Sequence, residues 1–391
     1  MFRTLLLVVL STIPLRADSV LVLPFFNYAK SANLDWIGES IAETIHDALM
    51  SEGVLALDRS DRLEAYRRLS MRPNAVLTHA SIIKAADALD AATVIYGQYE
   101  LTPAAPPSRG SLRITARIMD VKRSRQGPEF AEVGGLEDLA ALETHLGWQT
   151  LQFLIPKSAP SEDEFRKARP TIRVDAIEAY VRGLLATSPE QQHRLFTQAA
   201  RLDERFSQPA FQLGKIYLAK KDYPIATGWL EKVNRADSHY LEAQFLLGLS
   251  RYYRGNFGDA QKSFEIVAGS VPLNEVYNDL GAAQSRANNF AAAADNFRKA
   301  IEGDSSDPDY HFNLGYALWK AMKFGEAAES FKAVLDRSPQ DTEAGELLAR
   351  CQKQDGARAG DPKSEGRERI KTNYEETAYR ELKAELEKKK N

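Results

Sequence analysis

The sequence predicts two unlike folds in series: a small mixed-sheet α/β domain, then an all-α solenoid of helix–turn–helix units. Two observations carry that expectation. Up to about residue 155, short β-rich apolar runs alternate with helical stripes, the pattern of helices layered on a sheet. Beyond it, glycine returns at a nearly fixed interval inside an otherwise helical pattern, and a period of that length belongs to stacked repeats. Length and composition agree: 391 residues exceed one ordinary core, and 44% hydrophobic with 27% charged residues is a globular balance. A net charge of −3 supplies no long-range field for nucleic acid or a membrane surface.

The elements follow in order. "MFRTLLLVVLSTIPLRA" places basic Arg3 before an apolar run from Leu5 to Leu10, and small Ala17 before Asp18. That is the layout of a secretory signal peptide over 1–17, too short to span a bilayer. No cysteine stands near the cut, so no lipid anchor is expected and the implied address is periplasmic or secreted, peripheral to an envelope at most. Residues 18–155 are the α/β domain. "SVLVLPFF" reads as a buried strand, and "LDWIGESIAETIHDALM" as a helix with Ile37, Ile41, Ile45 and Leu49 on one stripe. "GVLALDRS" is a second strand, and Asp61 and Glu64 have the spacing of a capping box. "SIIKAADALD" is a helix; "ATVIYGQYE" and "SLRITARIMDV" are strands on either side of the loop "TPAAPPSRG". Glu43, His46 and Asp47 read as one turn of charged, solvent-facing residues.

This order, with "VLVLPF", "GESIAETIHDAL", "DRSDR", "VIYGQYE" and "ITARIMD", resembles the family of the TolB amino-terminal α/β domain, related to the FlgO and CsgG envelope domains. The resemblance implies an envelope setting and no catalytic centre. It carries over none of TolB's partners, because TolB continues as a β-propeller and this chain continues as helices.

Pro156, Pro160 and Pro170, set among charges, mark 156–171 as the linker. Gly214, Gly248, Gly281 and Gly315 then follow one another at spacings of 34, 33 and 34, each preceded by leucine. Twelve residues after each stands Ala226, Ala260, Ala293 or Ala327, and four further on Leu230, Phe264, Phe297 or Phe331. These residues resemble the tetratricopeptide repeat, in which two antiparallel helices cross so closely that only Gly or Ala fits between them. Regular units span 207–240, 241–273, 274–307 and 308–341. A degenerate unit at 172–206, with Gly183, Phe196 and Ala199, makes about five over 172–341. A capping helix is expected at 342–355, holding Cys351 in a structural role. Low apolar content makes 356–367 a disordered linker. Residues 368–390 form a charged amphipathic helix with Ile370, Tyr374, Ala378, Leu382 and Leu386 on one stripe, suited to docking on the repeats, to a partner helix or to solvent.

The repeat resemblance also implies where binding happens, since first helices of the family line a concave groove. The positions it nominates are Phe211, Lys215, Phe245, Leu249, Tyr252, Tyr253, Asn278, Arg286, Phe312, Tyr316, Trp319 and Lys320. Seven are aromatic, an excess over the chain's 9%, and aromatics are the usual anchors of a peptide interface. The family's carboxylate clamp has only Lys215, Asn278 and Arg286 to build on, so an extended or helical peptide with apolar side chains is expected instead of a captured C-terminus.

No catalytic, cofactor or metal site is expected. Six histidines lie at least 33 residues apart, and no phosphate loop, dinucleotide fingerprint or nucleophile elbow occurs. The sequence reads as an exported adaptor that binds a protein or peptide. The alternative is an envelope sensor whose α/β domain takes a small molecule and whose repeats relay it.

Overall fold

A computed structural model describes residues 19–28, 31–72, 75–104, 109–358, 361 and 364–388. The signal peptide expected at 1–17 lies outside them. Strands β1 (Val20–Val22), β2 (Phe26–Asn27), β3 (Thr93–Thr102), β4 (Ser111–Asp120) and β5 (Arg125–Gly135) form one mixed sheet in the order β1-β3-β4-β5, with β2 also on β3. The first two run parallel to β3, and the β3–β4–β5 meander is antiparallel. Successive side chains alternate faces. Val20 and Val22 therefore enter one core with helices α1 (Trp36–Ser51) and α4 (Leu139–Leu154), while Leu21 and Leu23 enter another. That second core lies under α2 (Arg59–Arg68) and α3 (His79–Ala88). Both faces of the sheet are filled.

Two local expectations are corrected. "GVLALDRS" makes no strand: Ala56 alone bridges to Val20, because the chain turns directly into α2. The capping box sits one turn earlier than expected, with the Asp58 amide donating to the Asp61 carboxylate at 3.2 Å.

The 156–171 segment is packed. It contains α5 (Glu162–Lys167), opened by a Ser161–Glu164 capping box. Phe165 is buried, with the Arg169 guanidinium 3.6 Å from its ring centre, and Trp148 Nε1 donates to the Pro160 carbonyl at 3.0 Å. The core under α1 and α4 continues without a break into Val174, Ile177 and Tyr180, then Phe196 and Leu213. One core thus joins the α/β layer to the first helices of the solenoid.

Those helices pair as α6 (Val174–Leu185) with α7 (Pro189–Leu202), α8 (Gln208–Ala219) with α9 (Tyr223–Leu230), and α10 (Tyr240–Tyr253) with α11 (Phe257–Ser270). The last pairs are α12 (Asn274–Arg286) with α13 (Phe290–Gly303) and α14 (Pro308–Lys320) with α15 (Phe324–Arg337). The glycine rule is a steric one. A Cβ on Gly248 would sit 2.6 Å from the Phe264 ring, one on Gly281 2.8 Å from Phe297, and one on Gly315 2.9 Å from Phe331. The degenerate unit obeys it too: Gly183 faces Phe196 at 2.6 Å, so the shortened loop still delivers an aromatic to the crossing. Helix α16 (Thr342–Gln352) covers the end of the array. Cys351 is buried on it, and burial pushes its thiol up to about 11, which keeps it inert.

Candidate functional site

The concave side of the array is occupied by the chain's own tail. The helix expected over 368–390 is α17 (Glu376–Lys388), and 366–375 is irregular chain with bends at Gly366 and Thr372, running along the groove. The difference has a clear cause: the backbone of this stretch finds its hydrogen bonds on the groove floor and not within itself. Asn313 clasps Arg369 from both sides, its Oδ1 accepting from the Arg369 amide and its Nδ2 donating to the Arg369 carbonyl, each at 2.8 Å. Asn278 Nδ2 donates to the same carbonyl at 2.9 Å, and Asn313 Nδ2 also donates to Asn278 Oδ1 at 2.8 Å. Two residues on, Asp279 Oδ1 accepts from the Lys371 amide at 2.8 Å; further along, Glu275 accepts from the Glu375 amide at 3.2 Å. Asn278, Asp279 and Asn313 are all fully buried.

Side chains add charge to this backbone reading. Arg369 lies 3.6 Å above the Phe312 ring centre and reaches Asp341 at 2.7 Å, with Asp309 and Glu343 each at 3.2 Å. Lys371 bridges Asp307 at 2.8 Å and Asp309 at 2.7 Å. Burial works against the Lys371 charge, but those two carboxylates outweigh it and hold its pKa above the ordinary lysine value. Asp341 shows the reverse balance, since burial is outweighed by the Arg369 hydrogen bonds and its carboxyl stays below its usual range. Burial pushes Asp279 well above that range, even with the donors from Lys371 and Asn278.

The nominated groove residues divide by what covers them. Phe312, Tyr316 and Trp319 are buried: Arg369 covers the first, Tyr316 donates to the Ser364 carbonyl at 2.8 Å, and Trp319 donates to the Asp355 carbonyl at 2.8 Å. Lys320 reaches the Ser364 carbonyl at 3.4 Å, and Arg286 pairs with Glu368 at 3.9 Å. Ser364 itself is buried, so 364–367 is held where composition alone indicated disorder. Phe245 meets the Tyr374 ring edge-on at 4.9 Å, and Leu249 and Tyr252 belong to the cluster receiving Ile370, Tyr374, Ala378 and Leu382. Phe211 stacks on His239 at 4.6 Å and Lys215 pairs with Glu242 at 3.2 Å, in a depression they share with Tyr374, Tyr379 and Arg380 of the tail. Tyr253 is exposed and stacks on Tyr223. Asn313, Asp279, Asp307, Asp341 and Glu343 were not nominated. The one sequence signal among them is Asn313, a polar side chain inside the otherwise apolar stretch FNLGYALW.

The tail helix then ties the two halves together. Arg380 reaches Asp61 at 2.6 Å and Asp58 at 3.3 Å, and Lys383 Nζ donates to the Ser238 carbonyl at 3.2 Å. This explains a further correction. The Glu43–His46–Asp47 turn of α1 does not face solvent; it lies in the junction between the halves. His46 is 3.5 Å from Asp47 and 3.3 Å from Asp58. Burial disfavours its charge, yet the two carboxylates win and push it up to about 10. His239, half-buried beside Asp237, is pushed up to about 9 in the same way. Among the described residues no three His, Cys, Asp or Glu side chains gather as a metal site requires, and no helix is long and apolar enough to cross a membrane.

A family model described as Tetratricopeptide repeat matches residues 245–308 and 278–342. Over residues 245–342 the helical half is built of tetratricopeptide repeats. No curated protein matches the chain. Among solved structures, MamA 41-end from Desulfovibrio magneticus RS-1 is 24% identical, with a TM-score of 0.38 over 42% of this chain and 95% of that one. A MamA RS-1 double mutant is 25% identical, with a TM-score of 0.37 over 41% and 92%. YrrB, titled a TPR protein with an unusual peptide-binding site, is 18% identical, with a TM-score of 0.36 over 43% and 86%. In the tetratricopeptide array of this chain, the tail lies where the first helices of successive units form the groove wall.

Proposed function

We propose that this protein is an exported adaptor that holds an extended segment of a partner protein in its concave groove, and that residues 364–375 stand in for that segment. The observation that carries the reading is the Asn313–Asn278 clasp on the Arg369 backbone, continued by Asp279 at Lys371. These contacts read main chain and so accept many sequences. Asp309, Asp341 and Glu343 add a preference for a basic residue at the clasp, and Phe312 supplies the face on which a guanidinium stacks. The partner is therefore an extended, basic segment with an aromatic beyond it, more polar than the apolar peptide the sequence suggested. Arg3, the Leu5–Leu10 run and Ala17 support export, and the likeness of the α/β half to the TolB amino-terminal family supports an envelope setting.

The groove is tested in the full chain by releasing its tail with Arg369→Glu and Lys371→Glu, then titrating a labelled peptide of residues 364–375. The released-tail chain is expected to bind the peptide, and adding Asn313→Ala to abolish binding. The parent is expected to bind far more weakly, because a tethered tail competes at an effective concentration of about 1 mM. A released-tail chain that keeps its circular dichroism spectrum and binds no peptide refutes the reading. Export is checked separately by the mass of the mature chain in cell fractions: it is expected to begin at Asp18 outside the cytoplasm, and a cytoplasmic chain retaining Met1 excludes it.

A further inference from the structure

The tail does more than lie in the groove, because its helix bridges the solenoid and the α/β half. Tyr379, Lys383 and Ala384 of α17 are all buried. Tyr374 and Tyr379 meet ring to ring at 5.0 Å and join the apolar cluster of Phe245, Leu249 and Val276 on the solenoid. Arg380, the next residue, turns to the other half. It lies 2.6 Å from Asp61 and 3.3 Å from Asp58 at the start of α2, with 11% of its side chain exposed. A cavity of about 520 Å³ inside the junction is separate from this contact. It is walled by α1, α4 and α6 and lined in part by Glu143, whose Oε2 accepts from Thr44 at 3.1 Å, and no tail residue borders it.

The two parts of the tail are held in different ways. At Arg369 and Lys371 the groove floor takes main-chain amides and a carbonyl, groups that every residue but proline offers. On α17 the contacts come from side chains. Ala378, Tyr379 and Leu382 pack on the solenoid, and a guanidinium enters between two carboxylates of the α/β half. Two carboxylates converging on one guanidinium define the charge and the planar shape that they accept. The fit of α17 is also incomplete. A depression of about 260 Å³ remains beside it, bounded by Asp58 of the α/β half, Phe211 and Glu242 of the solenoid, and Glu376 and Arg380 of the helix. An occupant that leaves such space is one that a better-fitting helix can replace.

Resting on the proposal that the groove holds a partner's segment, we infer that this segment is bipartite. The stretch held in the groove continues into an amphipathic helix that takes the place of α17. Its aromatic side chain lies on the Phe245 and Leu249 cluster, and an arginine one residue later lies between Asp58 and Asp61. The binding site is then shared by the two halves, and Asp58 and Asp61 are specificity-determining residues for the partner. That assigns the α/β half a part in recognition which the main-chain contacts of the groove floor do not supply. A helix of 13 residues is marginal alone in water, so the partner's helix forms on this wall, and its ordering offsets part of the affinity it adds.

The test uses the full chain with its whole tail released by Arg369→Glu, Lys371→Glu, Tyr379→Ala and Arg380→Glu, first shown by circular dichroism to stay folded. Two labelled peptides of the native sequence, 364–375 and 364–388, are titrated by fluorescence anisotropy. The long peptide is expected to bind about tenfold tighter than the short one. Arg380→Glu in the long peptide is expected to return it to the affinity of the short one. Asp61→Asn in the chain keeps an oxygen for the Asp58 amide and loses the charge. It is expected to weaken the long peptide about fivefold and to leave the short one unchanged. Two failures are told apart by the short peptide. If neither peptide binds, the groove holds no such segment and the inference falls with it. If the short peptide binds and the long one binds no tighter, or loses nothing through Arg380→Glu and Asp61→Asn, the groove keeps its role and the bipartite segment is overturned.

Discussion

The groove and the junction cavity are both polar depressions lined by buried side chains, and they differ in one respect. On the groove floor, Asn278, Asn313 and Asp279 each hold a backbone group of the tail. In the cavity, Glu143 Oε1 holds nothing among the described residues. Native interiors seldom leave polar atoms unmet. Both sites keep an unmet carboxyl oxygen, Asp279 Oδ2 in the groove and Glu143 Oε1 at the cavity, but only the groove displays the chemistry of its occupant in the contacts it already makes. A groove that meets main chain with amides and carboxylates is shaped for a peptide segment.

The largest expected effect sharpens the contrast from the cavity side. Glu143, His46 and His239 all keep their protons in the fold at pH values where the unfolded chain has released them, up to about 8, about 10 and about 9. The native state then binds more protons than the unfolded state, so stability falls as pH rises through this window. For Glu143 the loss begins near its ordinary value of 4.5 and is complete near 8; for the two histidines it begins near 6.5. Each of the three groups contributes on the order of 1.4 kcal/mol per pH unit inside its own window, so the stability measured by urea is expected to drop by several kcal/mol between about pH 6 and about pH 9. Glu143→Gln keeps the Thr44 hydrogen bond and carries no charge. It is expected to be more stable than the parent at the upper end and to flatten the Glu143 part of the slope. A parent whose stability rises with pH over that range contradicts this account of the junction.

The next effect breaks the groove side. Asn313→Ala removes both arms of the clasp and leaves the Arg369 amide unmet, a loss of about 2 kcal/mol by urea. The same variant is expected to expose 366–375 to trypsin at Arg369 and Lys371, which the parent protects. Protection unchanged in Asn313→Ala would mean that the Arg369 and Lys371 ion pairs alone seat the tail.

How far the sequence discloses these sites follows from what periodicity can encode. The repeats were legible because each crossing needs a glycine against a large apolar side chain, Leu230 opposite Gly214 and an aromatic in the later units, so that Gly248 against Phe264 recurs as Gly281 against Phe297. The two strands on either side of the Pro-rich loop were legible for the same reason, as β3 and β4. The groove was expected along the first helices of the units, and its floor was not legible, because Asn313 does its work through a partner 56 residues away that no local pattern names. The stripe of Ile370, Tyr374, Ala378 and Leu382 did mark an apolar side, and all four pack on the array. It indicated a helix where the first two residues lie in irregular chain, since a four-residue spacing of apolar side chains does not by itself require a helix. The junction was the least legible part. Glu43, His46 and Asp47 read as solvent-facing because the elements that cover them, the 234–239 loop and α17, arrive from far along the chain.

The smallest expected effect asks how much of the groove's selectivity belongs to side chains at all. Arg369→Lys keeps the positive charge and the backbone clasp but loses the planar fork that reaches Asp341 and Glu343 while stacking on Phe312. A lysine ammonium can meet one of those carboxylates at a time. Because the pairs are partly exposed, the cost is expected to be about 1 kcal/mol or less, and it is expected to shrink with added salt. If the loss instead matched that of Asn313→Ala, the guanidinium would be the chief determinant, and the groove would select for arginine more than for an extended backbone. If it were undetectable while Asn313→Ala frees the tail, main-chain recognition would dominate, and the partner's sequence would be constrained mainly by its ability to lie extended.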